Sequence, residues 1–225
     1  MVNSWLNNYN GVAARFVRLE ELWNNPPGMQ LARVHVLIAA VLFGTTGTAQ
    51  ALAPALDPVA VGGARIVVGA AFLAVIACAA ARLRPRTAAP DRGGRGLVVL
   101  SGAFVAVYQL GFFAAVADTG VAIGTVVAIG SGPAFAGLFA RVFAGERPAP
   151  RWYLATTLAG AGVCVMVLGA GAGEVSLPGV GLALLAGAGY AGYAVAGKRL
   201  MDAGRTPEAT MAAVFCTGAV LLLPV

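Results

Sequence analysis

The sequence predicts an all-α membrane protein, a multi-span helix bundle, and three observations carry that prediction. The chain is 59% hydrophobic and only 11% charged, where ordinary soluble domains carry about 25% charged residues; its mean hydropathy is +0.83. The apolar residues gather into seven stretches, 34–53, 59–81, 97–117, 120–144, 153–171, 179–197 and 209–225. Each is close to the ~20 residues that a helix rising ~1.5 Å per residue needs to cross a ~30 Å hydrocarbon core. Finally, the basic residues outside these stretches occupy alternate gaps. Arg15, Arg18 and Arg33 precede the first span; Arg82, Arg84, Arg86, Arg92 and Arg95 follow the second. Arg147 and Arg151 follow the fourth, and Lys198, Arg199 and Arg205 follow the sixth. The intervening gaps hold Asp57, Asp118 and Glu174 and no basic residue. Short loops rich in Lys and Arg stay in the cytoplasm. The expected location is therefore the plasma (inner) membrane, multi-pass, with a cytoplasmic N-terminus.

The net charge of +6 does not point to nucleic acid, because the cations sit in short loops between apolar spans and not along one polar face. They are topology signals with some attraction for anionic headgroups, so the expected partners are a small-molecule substrate and the lipid bilayer. Cys78, Cys164 and Cys216 all lie inside spans, an odd number with no disulfide framework and no metal-ligand spacing. No metal and no cofactor are expected. The chain has no G-x-S-x-G, H-E-x-x-H or P-loop motif, so no enzyme is expected either. Gly187-Ala188-Gly189-Tyr190-Ala191-Gly192 fits G-x-G-x-x-G, but that pattern binds dinucleotides only between a strand and a helix. Within a span its glycines, like Gly120 and Gly124, fit close helix contact.

Taken in order, residues 1–33 form a cytoplasmic tail. There Val12, Phe16, Leu19 and Trp23 recur at helical spacing, as in a short amphipathic helix on the membrane surface or in a tail with no fixed structure. The first span carries a small, polar face, Phe43-Gly44-Thr45-Thr46-Gly47-Thr48, and His35 at its inner edge. A turn at Pro54–Pro58 leads to the second, which holds Arg65. The third contains Tyr108-Gln109. The fourth contains Thr125, Gly130-Ser131-Gly132-Pro133 and Arg141, the fifth is nearly featureless, and the sixth contains Tyr190 and Tyr193. The seventh stops at Val225, which reads as a truncation.

An arginine inside the bilayer costs at least ~2.5 kcal/mol and is functional or paired by default. Arg65 therefore faces a cavity and attracts an anionic or carboxylate-bearing solute, pairs with Asp57 or Asp118, or snorkels outward. Arg141, near an interface, reads as a snorkelling residue. Pro133 cannot donate to the carbonyl four residues back, so the 130–133 segment is expected to break its helix. Such breaks line transporter sites or merely kink the span. Thr45, Thr46, Tyr108, Gln109, Tyr190 and Tyr193 are polar groups at mid-depth, where they line a cavity or join helices at ~0.6 kcal/mol each.

Together these residues resemble a known family. An aromatic-Gly pair with small residues (Phe43-Gly44-Thr45) precedes a Pro-containing turn and a helix with an early arginine (Arg65). Two helices then meet at a tight turn, Asp118-Thr119-Gly120. The fourth helix runs Pro133-Ala134-Phe135-Ala136-Gly137-Leu138 into Gly145-Glu146-Arg147, then Trp152 and Gly160-Ala161-Gly162-Val163. The pattern is similar to the EamA module of the drug/metabolite transporter superfamily. The resemblance implies a five-helix module over 34–171, an external linker at 172–178, and at 179–225 the first two helices of an inverted second module. Phe43 and Tyr190 then fall in register, and Ala212 takes the place equivalent to Arg65.

The resemblance further implies secondary transport of small metabolites, with export of amino acids or related solutes, by alternating access. Carried onto this chain, the family's cavity nominates Thr45, Thr46, Arg65, Tyr108, Gln109, Ser131, Pro133, Tyr190 and Tyr193 as substrate-binding. Glu146 and Arg147 would close the turn between the fourth and fifth spans. The alternative is a truncated, non-transporting membrane protein, or a half-carrier completed by a homodimer partner or by missing C-terminal helices.

Overall fold

The computed structural model describes residues 29–52, 57–83, 94–145, 148–169 and 176–223. The tail pattern from Val12 to Trp23, most of the basic 82–95 segment, Glu146, Arg147 and Glu174 lie outside the described residues. Six helices form among the described residues: α1 (Met29–Ala51), α2 (Pro58–Leu83), α3 (Arg95–Ala144), α4 (Pro150–Gly169), α5 (Leu177–Asp202) and α6 (Pro207–Leu222). There is no strand among the described residues. Within α2, α3, α4 and α5 lie stretches long and apolar enough to cross a membrane. At 16 residues, α6 is only about 24 Å long. The chain divides into two compact units, Met1–Ala49 and Gln50–Val225. Of the first unit, the described part is helical; the second holds α2 to α6.

α3 has 50 residues and would measure about 75 Å if straight, over twice the hydrocarbon core. Instead it doubles back at Gly120, whose φ of 79° and ψ of 161° lie in a region open essentially only to glycine. The rings of Phe104 and Phe139, 35 residues apart in sequence, stand 6.0 Å apart. A Cβ on Gly124 would meet the Val116 Cα at 3.1 Å. α3 is thus a helical hairpin with a first arm, 95–119, and a second arm, 121–144. The third and fourth predicted spans are these two arms, and the expected Asp118-Thr119-Gly120 turn shrinks to one non-helical residue. Gly120 therefore serves as the turn and not as a helix contact, whereas Gly124 does pack closely.

The expected break at 130–133 does not occur. Gly120 is the residue of α3 with non-helical dihedrals, and Pro133 sits inside a continuous helix. One missing donor leaves a single carbonyl unserved, which membrane helices accommodate without leaving helical geometry. The Pro133 ring is exposed, and its own carbonyl accepts a hydrogen bond from Trp152 Nε1 at 3.2 Å. The Trp152 ring lies so close to Gly137 that a Cβ there would collide with it. This contact fastens α4, which has no buried residue, to the second arm. Trp152→Phe keeps most of the ring and loses the hydrogen bond. It should lower unfolding stability in detergent by about 1 kcal/mol, as a thermal melt would register.

Inside the second unit α3 is the hub. It packs along α5, and its neighbours also include α6, α4 and α2, while α2 packs on α6. Ile66, Ala70, Val105, Leu200, Val214, Ala219 and Leu222 form one buried apolar cluster joining α2, the first arm, α5 and α6. Small residues set the spacing, since interfaces in lipid are driven by close packing more than by water exclusion. A Cβ on Gly102 would strike the Thr217 side chain at 2.6 Å, and one on Gly218 would lie 2.8 Å from Val105.

The bundle has two chemically distinct ends. At one end Asp57 Oδ1 accepts the Ala60 N–H at 3.0 Å and caps α2. There too Ser176 Oγ donates to Asp118 Oδ2 at 2.5 Å and caps α5 by accepting from the Gly179 N–H. The other end carries Arg95, Arg141, Arg151, Lys198, Arg199 and Arg205. Arg141 Nη1 donates to the Tyr153 hydroxyl at 3.3 Å, and Lys198 pairs with Asp202 at 3.1 Å.

Candidate substrate-binding site

α5 crosses the first arm of α3 with Gly189 against that arm's backbone. A Cβ on Gly189 would lie 2.7 Å from the Tyr108 nitrogen and 2.8 Å from the Phe104 carbonyl oxygen. That approach brings together Tyr108 and, from more than 80 residues further along the chain, Tyr190 and Tyr193. The Tyr108 and Tyr190 rings meet edge-on at 5.7 Å, Tyr190 and Tyr193 at 5.3 Å, and Tyr108 and Tyr193 lie 6.3 Å apart. Such pairs contribute ~0.5–1.5 kcal/mol beyond their buried area. Phe112 extends the cluster on one side at 5.8 Å from Tyr108, and Phe215 of α6 on the other at 5.8 Å from Tyr193.

Gln109 points from the same arm toward α2. Its Nε2 donates to the Gly62 carbonyl at 3.3 Å in a buried bond, while its Oε1 is buried with no hydrogen-bond partner among the described residues. The Tyr108 hydroxyl is likewise buried without a partner among them. An unsatisfied buried polar atom costs ~1–3 kcal/mol, and native proteins carry few of them without a functional reason. One helical turn beyond Gly62, the partly buried Arg65 lies within electrostatic reach of both Tyr108 and Tyr193.

The second arm closes a further side. A Cβ on Gly132 would come within 3.3 Å of the Tyr190 ring. The Ser131 hydroxyl donates to the Ala128 carbonyl at 3.1 Å and lies directly against Gly187, where a Cβ would collide with it. The structure therefore brings Arg65, Tyr108, Gln109, Tyr190 and Tyr193 to one place, with Ser131 at its edge. Pro133 stands apart, on the exposed face of the second arm. Thr45 belongs to the first unit, where its hydroxyl donates to the Leu42 carbonyl at 2.8 Å. The Thr46 side chain lies outside the described residues. Ala212, in the place equivalent to Arg65, is buried in α6.

Sequence reasoning passed over the aromatic surround. Phe104, Tyr108 and Phe112 recur at i, i+4 and i+8, a spacing that puts all three on one helix face. It also passed over Ser101 and Thr210, both fully buried with hydroxyls lacking a partner among the described residues, for which no sequence signal exists. The assembled site offers a cation, an amide, phenol hydroxyls and aromatic faces, a set suited to holding a small polar solute reversibly.

Comparison with known proteins agrees with this architecture. The uncharacterized transporter YwfM of Bacillus subtilis (strain 168) is 40% identical to the chain over 190 residues, 84% of this chain and 62% of that protein. The chain thus spans less than two thirds of the length of the curated relative it matches. No solved structure is significantly similar to it. The sequence profile of the EamA-like transporter family matches residues 31–168, more than half of the chain, and with its apolar helices this makes it a multi-pass membrane protein that belongs to the EamA-like transporter family.

Proposed function

We propose that this chain forms the substrate-binding part of a secondary transporter that moves a small anionic or zwitterionic metabolite, such as an amino acid or a related solute destined for export. The module at 34–171 and the inverted start of a second at 179–225 rock against each other around a site near mid-depth. The protein sits in the plasma membrane, with its N-terminus and basic loops on the cytoplasmic side. The observation that carries this reading is the convergence of Tyr108, Tyr190 and Tyr193 with Gln109 and Arg65. It includes a buried hydroxyl and a buried amide oxygen that nothing among the described residues satisfies. A solute carboxylate or ammonium meeting those groups gains hydrogen bonds that the empty bundle lacks.

Tyr108→Phe tests this directly, because a ligand contact and a structural contact give opposite results. The hydroxyl makes no bond to the described residues, so its removal should leave thermal stability unchanged or raised. Uptake of substrate into proteoliposomes, screened over amino acids and small carboxylates, should fall about tenfold, the effect of losing one hydrogen bond worth ~1.4 kcal/mol. Full transport by a stable variant would remove the hydroxyl from the site.

A further inference from the structure

A concavity lies between the two arms of α3 and α5, displaced from the tyrosines toward the basic end. Its principal walls are Leu100 and Phe104 from the first arm, Phe139 and Phe143 from the second, and Val195 and Arg199 from α5. Phe104, Phe139 and Phe143 form a continuous ring wall, with successive centroids 6.0 and 5.7 Å apart. The wall runs along the helices and ends where Arg199 stands. Arg199 Nη2 donates to the Phe143 carbonyl, in the last turn of α3, where a helix leaves carbonyls unserved and favours a cation. That bond fixes the guanidinium at the mouth of the cleft, and a guanidinium has further N–H donors to offer.

Basic side chains gather at this end. Arg95 opens the first arm on this side, and the Arg205 Nε would lie 3.6 Å from a Cβ on Gly94, the residue before it. The nearby Asp202 is engaged by Lys198. Leu100 and Phe143, at opposite edges, are 49% and 56% exposed, so the cleft opens sideways toward hydrocarbon and not only toward water.

We propose that this cleft holds one acyl chain of an anionic phospholipid, with the lipid phosphate on Arg199. Apolar walls parallel to the helices match an acyl chain, and a fixed guanidinium at headgroup depth matches a phosphate, which arginine binds with two parallel hydrogen bonds. A solute arriving from water would meet the arginines but would have no use for a phenylalanine wall open to lipid. The proposal stands independently of the transport reading.

The test is native mass spectrometry of the full chain, released from detergent after incubation with phosphatidylglycerol or phosphatidylcholine of identical acyl chains. One phosphatidylglycerol should be retained in preference to phosphatidylcholine. Arg199→Gln should reduce that preference about fivefold, the scale of one basic side chain near an anionic surface. Lys198→Gln, one residue away and outside the cleft, should leave the preference intact. Val195→Trp, which fills the cleft from α5, should expel the lipid with Arg199 still in place. Equal retention of the two lipids overturns the proposal. So does equal loss in Arg199→Gln and Lys198→Gln, retention by Val195→Trp, or a dimer of the chain in place of the lipid adduct.

Discussion

Gly189→Val is expected to prevent the second unit from assembling. Its added Cβ would stand 2.7 and 2.8 Å from main-chain atoms of Tyr108 and Phe104, which cannot swing aside as a side-chain tip can. α5 would have to move away from the first arm of α3, opening the contact that places Tyr190 and Tyr193 against Tyr108. Overpacking against movable side chains costs ~1–3 kcal/mol. Here the obstruction is backbone, so the cost belongs at or above the top of that range, against a total stability of ~5–15 kcal/mol for a typical domain. Gly181, on the same helix, has open space around it, with nothing within 4 Å of where a Cβ would stand, and serves as the control. Monodisperse yield and melting temperature in detergent should collapse for Gly189→Val and hold for Gly181→Val. If the two variants behave alike, the crossing of α5 over α3 is not where this structure puts it.

Arg65→Ala should abolish transport while leaving the protein in the membrane. Arginine at mid-membrane opposes insertion by ~2.5–3.5 kcal/mol, so alanine does not hinder biogenesis. What it removes is the cation within reach of Tyr108 and Tyr193. Truncating one side of a desolvated charge-assisted contact costs ~2–5 kcal/mol, whose lower end already predicts about a thirtyfold fall in uptake of an anionic or zwitterionic solute. Arg65→Lys keeps the charge but not the planar fork, and should lie between wild type and alanine. Membrane-fraction yield and uptake are measured on the same preparations. Undiminished uptake by Arg65→Ala would show that this arginine serves the scaffold and not the solute.

Much of the fold could be read from hydropathy, because a bilayer forces every backbone group into a helix and so makes span length a strong constraint. The paired arms of α3 followed from Asp118-Thr119-Gly120 for the same reason: so long an apolar stretch cannot cross only once. The 130–133 segment misled, because proline's missing donor is certain from sequence whereas whether the helix leaves helical geometry in response is not. The site was legible only in part. Tyr190 and Tyr193 sit three apart on one helix, and their polarity at mid-depth marks them, but nothing local says that Tyr108 will meet them. That meeting depends on Gly189 permitting backbone contact, a tertiary fact. The Phe104–Phe139–Phe143 wall escaped notice because apolar rings in apolar spans carry no contrast.

The single non-helical residue at Gly120 also bears on how this chain enters its membrane. Two helices joined by an ordinary loop can be inserted one after the other, the loop waiting at the surface. The arms of α3 have no such slack, so the hairpin should enter as one unit, neither arm seating before its partner. Its tip carries one charged side chain, Asp118. The same economy makes this bend a poor place for natural insertions: any added residue would separate arms that are already in van der Waals contact at Val116 and Gly124.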